Sequence, residues 1–79
     1  MNVIIRNFRG YKYLINTDNI NAVSFSPVDP KQYADEIAEA GGSSLTRIYI
    51  DWFNGSTSLL VSSEIAEEFL NIFDAVELF

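Results

Sequence analysis

The chain has 79 residues, 48% of them apolar and 14% aromatic, with a net charge of −6 and neither cysteine nor histidine. That apolar content excludes disorder, and the two missing residue types exclude disulfide frameworks, thiolate nucleophiles, the usual zinc sites and the usual proton shuttle. A chain of this length makes one domain, residues 1–79, that buries only about 60% of the surface it exposes when unfolded, so a partner's surface would add to its stability.

In chain order, Met1 to Phe8 reads as a first strand, with Val3 and Ile5 on one face and Ile4 on the other. Arg9-Gly10 is expected to turn the chain into a second strand, Tyr11 to Ile15, paired with the first as a hairpin. Asn16-Thr-Asp-Asn19 is a cluster of short polar side chains that bond their own backbone, hence a loop. A third strand, Ile20 to Ser26, follows, with Val23 and Phe25 on one face and Ala22, Ser24 and Ser26 on the other.

Pro27 and Pro30 end that strand, since neither offers an amide donor. Asp29 is placed as the N-cap of a short helix, with Pro30 in its first position and Gln32 at capping-box spacing. Tyr33 and Ile37 make its narrow apolar stripe over about three turns, and Gly41-Gly42 closes it. The most strongly β-forming stretch comes next, Leu45 to Phe53 and Thr57 to Val61, joined by Asn54-Gly55 as the central pair of a type I′ turn. Ser62 or Ser63 caps a final helix in which Ile65, Phe69, Ile72, Phe73 and Val76 recur at helical spacing and form one buried face. The expected fold is α+β, a small antiparallel sheet of about five strands with this amphipathic helix on one face and the short helix inserted.

Little here can run chemistry. The serines lie in turns, caps and solvent-facing positions without a Ser-x-x-Lys context for Lys12 or Lys31, and the one-turn carboxylate pairs Asp35/Glu39 and Glu64/Glu68 fall on solvated faces. Asn16 to Asn19 lacks the glycine and distal glutamate of a calcium loop, and no glycine-rich phosphate loop occurs. The chain is therefore expected not to be an enzyme and to hold neither cofactor nor metal.

Charge and aromatic patterning point to binding. Residues 1–28 carry Arg6, Arg9 and Lys12 against Asp18, a balance of +2, whereas residues 29–79 carry Lys31 and Arg47 against the other ten of the 11 acids, a balance of −8. General binding to duplex DNA is disfavoured by that balance. Arg6 to Tyr13 interleaves Arg6, Arg9 and Lys12 with aromatics, the composition of a single-stranded nucleic-acid surface, and the acidic helices suggest an inhibitor that imitates nucleic acid. On the strand from Leu45, Tyr49 and Phe53 lie opposite the Ile48, Ile50 and Trp52 face, and one helix covers one face. Tyr49 and Phe53, with Tyr11 and Tyr13, are thus the candidate interaction surface, and the leading expectation is a protein-binding module that forms a homodimer or higher oligomer. No apolar run approaches the ~20 residues of a membrane span, and Arg6 interrupts the opening apolar stretch before it could serve for export. The expected location is the cytoplasm.

Phe8-Arg-Gly10, then Ile15-Asn-Thr-Asp-Asn-Ile20 with Val23, then Asn54-Gly55, Leu59-Leu-Val61 and a closing amphipathic helix, resembles the small flagellar FlbD family over residues 8–26 and 47–70. That family has a Gly turn, an Ile-Asn-x-Asp/Glu-x-Ile-x-x-Ile/Val segment, an Asn-Gly hairpin and a terminal helix in this order. The stretch Asp29 to Ser44 departs from its compact form. The resemblance implies a cytoplasmic accessory protein of motility and brings no catalytic residues, while the leading expectation is a module of bacterial or phage origin.

Overall fold

Residues 1–78 are described by a computed structural model. Its five strands divide between two antiparallel sheets. Strands β1 (Asn2–Arg6) and β2 (Lys12–Asn16) form the first, with Val3 opposite Ile15 and Ile5 opposite Tyr13. The loop between them is built by Asn7, whose Oδ1 accepts from the amides of Arg9 (3.0 Å) and Tyr11 (2.9 Å), and it closes through Gly10 at φ +88°. A Cβ is unwelcome at that backbone angle, which is why the turn ends on glycine. Asn16 then caps a 3-10 turn over Thr17–Asn19 by accepting from the Asp18 amide at 3.1 Å.

The second sheet has the order β3-β4-β5, from Ile20–Pro27, Leu45–Trp52 and Gly55–Ser62. Phe25 lies opposite Ile48 and Val23 opposite Ile50, while Ile48 also faces Leu59 and Thr46 faces Val61. Directly opposed residues share a face, so these side chains make one inner apolar surface. Asn21 is the extra residue of a β-bulge near the start of β3.

The inner surface is closed by helix α2 (Ser63–Asn71) together with the β1–β2 hairpin. Ile5 and Ile15 from the hairpin and Ala66 and Phe69 from α2 join Ile48, Ile50, Leu59 and Val61 in one buried cluster. Phe69 stands at the centre of an aromatic group, 6.2 Å from the Phe25 ring and 5.1 Å, edge-on, from Phe73. Ser62 caps α2 by accepting from the Ile65 amide at 3.3 Å. The buried Thr46 hydroxyl meets the Ser63 hydroxyl at 2.9 Å, and the Ser63 amide donates to the Ser44 carbonyl, so the helix start is tied to the start of β4.

Helix α1 (Ala34–Glu39) ends as its glycines predict. Gly42 donates to the Ile37 carbonyl at 2.8 Å and Gly41 to the Ala38 carbonyl at 3.1 Å, with φ of +87° and +79°. This is a Schellman closure, in which left-handed backbone satisfies the last carbonyls.

Three sequence expectations need correction. The β4–β5 turn is not a type I′ turn on Asn54-Gly55: Trp52 pairs with Gly55, so Phe53-Asn54 is the tip, and neither residue has positive φ. The alternative register keeps the same faces inward, and the far end of the hairpin decides between the two, since Leu45 opposite Ser62 is what aligns Thr46 and Ser44 with Ser63. Asp29 caps a turn before α1 and not the helix itself. Its Oδ1 accepts from the Lys31 amide and its carbonyl from Gln32 and Tyr33, and Tyr33, at φ −115° and ψ 28°, interrupts helical geometry before α1 begins. Val76 is not part of the buried stripe. The last bonds of α2 tighten to three-residue spacing, Asp74 turns at φ +48°, and Val76 is 83% exposed.

Candidate protein-binding surfaces

The four aromatic residues singled out in the sequence go to different places. Tyr49 stands on the outer face of β4, 47% exposed between Ser24 of β3 and Ser58 of β5. Phe53 projects from the β4–β5 turn at 82% exposure, and Tyr11 is exposed in the hairpin loop. Tyr13 instead lines a cleft of about 330 Å³ with Asn7, Phe8, Tyr33, Arg47 and Ser58.

That cleft is a seam between three elements. The Phe8 amide donates to the Leu60 carbonyl at 2.8 Å, bringing the hairpin loop to the edge of β5. Arg47 donates to the Ser58 hydroxyl at 2.9 Å and the Tyr33 hydroxyl at 3.1 Å, its guanidinium carbon 5.8 Å from the Tyr33 ring centre. Arg9 pairs with Glu39 of α1 at 3.2 Å and lies over the Phe8 ring. Arg47 thus ties Tyr33, just before α1, to the outer side of β5, and Arg9 ties the hairpin loop to α1.

The candidate nucleic-acid residues part company as well. Arg6 lies opposite Lys12 on the outward face of the hairpin, Tyr13 is on the other face beside Ile5, and Arg9 is tied to Glu39. Alternation therefore separates Arg6 and Lys12 from Tyr13, while Arg9 lies over the Phe8 ring and Tyr11 is exposed in the loop. Glu64, Glu67 and Glu68 are all exposed on α2. Among the described residues, no group of three or more acidic side chains is placed to hold a metal ion, and no helix is long and apolar enough to cross a membrane.

Two surfaces stand out from the geometry. Ile4 and Leu14 face each other across the hairpin, 65% and 71% exposed, flanked on the same face by Arg6 and Lys12. The alternation that turns Ile4 away from Ile5 is visible in the sequence; that the hairpin's second face is left largely exposed among the described residues is not. The other surface is one of the two edges of the larger sheet, at β3; at the opposite edge, β5, the Phe8 amide already takes the Leu60 carbonyl. Among the described residues β3 is paired to β4 alone; it runs for eight residues and carries no charged side chain. Val23 and Phe25 are half-buried there, at the margin of the core.

No family model, curated protein or solved structure matches this chain.

Proposed function

We propose that this chain is a small non-enzymatic protein-binding module that self-associates. The observation that carries this reading is the β3 edge of the larger sheet, which no other described segment pairs with. An edge strand offers a row of backbone donors and acceptors to any strand laid beside it, and soluble proteins usually blunt such edges with lysine, with mid-strand proline or by covering them. β3 has no charge along its length, and its proline, Pro27, stands at the very end. Its bulge is confined to the start, so the run from Ala22 to Ser26 is regular. Main-chain bonds from an added strand supply affinity.

The exposed Ile4/Leu14 pair gives the module a second contact surface, apolar at its centre and cationic at its flank. Sedimentation velocity over a wide concentration range tests the reading. Reversible growth beyond the monomer is expected, and a strict monomer at high concentration would overturn self-association.

A further inference from the structure

Resting on that reading, we infer that the second copy binds edge to edge, β3 antiparallel to β3′, with Ser24 on the two-fold axis. The direction of the backbone groups selects this register. The Val28 amide donates to the Leu45 carbonyl, and Val28 and Leu45 continue the β3–β4 register as a directly opposed pair. Hydrogen-bonded and non-bonded pairs alternate along an antiparallel ladder. The even positions Ala22, Ser24 and Ser26 therefore bond β4, and the odd positions Val23 and Phe25 direct both amide and carbonyl to the open edge.

In a two-fold pairing, Val23 and Phe25 must meet each other's backbone. Centred on Ser24, Val23 of one copy lies opposite Phe25 of the other, and every donor and acceptor of both residues is used. Centred on Phe25, the outer pair would be Val23 with Pro27, which has no amide hydrogen to give. Centred on Val23, Phe25 would meet Asn21 inside the bulge, where the ladder is broken. The sequence admits one clean solution.

Side chains agree with the backbone. Across the joined sheet, β5-β4-β3-β3′-β4′-β5′, the inner row reads Ile48, Phe25, Val23′, Ile50′, apolar throughout and continuous with both cores. The outer rows read Tyr49, Ser24, Ser24′, Tyr49′ at the centre, and Asp51, Ala22, Ser26′, Arg47′ to either side, so each acid shares its row with a base and no like charges oppose one another. The contact is isologous and closes at two copies, so it does not propagate into a fibre.

The absence of cysteine makes the register directly testable. At a non-hydrogen-bonded antiparallel pair the Cα atoms are about 4.5 Å apart, within disulfide reach, so Ser24→Cys treated with diamide should give a covalent dimer in high yield. Ser26→Cys, also exposed and on the same face, would sit opposite Ala22′ and should stay uncrosslinked. Ser24→Lys places two ammonium groups in direct opposition and should weaken dimerisation about tenfold or more while leaving the monomer folded. A wild-type chain that is a strict monomer defeats the underlying reading and this inference together. A dimer in which the Ser26→Cys variant crosslinks as readily as the Ser24→Cys variant, or one that Ser24→Lys leaves intact, overturns the edge pairing alone and leaves self-association standing.

Discussion

Phe69 and Phe53 are the same side chain put to opposite uses. Phe69 is 4% exposed among Phe25, Phe73 and the isoleucines of the core, whereas Phe53 stands in water at the tip of a turn. Phe69→Ala should cost about 3–5 kcal/mol, the range for emptying a large aromatic site in a packed core, and for a chain this small such a loss removes much of its stability. Phe53→Ala should stay within about 0.5 kcal/mol. Urea denaturation of both variants checks the pair, and a Phe53 cost approaching that of Phe69 would mean that the turn is packed against something. Phe69 was legible from its helical spacing with Ile65 and Ile72, because a single stripe has to be buried. The candidate aromatics were legible only as far as face. Alternation put Tyr49 on the side away from Ile48, but it could not show that the hairpin loop reaches the β5 edge and draws Tyr13 into a seam with Tyr33 and Arg47. That placement depends on a contact between elements far apart in sequence.

At the scale of the element, α2 shows what local signals decide. Ser62 accepts from the Ile65 amide and so satisfies one of the unpaired donors at the helix start. Ser62→Ala should destabilise the chain by about 0.5–2 kcal/mol, and Ser62→Asp, which can cap as well, should recover most of it. The other end of the helix follows a rule that periodicity does not carry. Val76 continues the apolar spacing, but the chain leaves helical geometry at Asp74, a residue type that tolerates positive φ, and carries Val76 and Leu78 into solvent. Val76→Ser should therefore change stability by less than about 0.5 kcal/mol in the same denaturant titration. A loss of about 1 kcal/mol or more would return Val76 to the buried stripe. The opposite outcome holds at α1, where Gly41-Gly42 announced its end because two successive left-handed residues suit glycine alone, while Asp29 and Pro30 announced a start that the chain uses for a separate turn.

For the whole molecule, the class and the number of strands followed from alternation and turn residues, and their division into a pair and a triplet did not. Strand order depends on which edges meet in space, and β1 to β3 carry no mark of it beyond their loop lengths. Pairing through the β3 edge, as proposed, makes stability depend on concentration. If native chains pair through β3, dissociation accompanies unfolding, and mass action makes the midpoint rise with total protein. Each tenfold increase above the dissociation constant adds about 1.4 kcal/mol per dimer, about half of that per chain, which for a domain of this size raises Tm by about 3–5 °C. Ser24→Lys, which opposes two charges at the axis, should move this dependence about one decade to higher concentration, so that its Tm matches the value wild type reaches at about tenfold dilution. Differential scanning calorimetry over a roughly hundredfold range in concentration reads both chains on one axis. A wild-type Tm that does not move across that range would mean that the edge remains open in solution and that the monomer carries its stability alone.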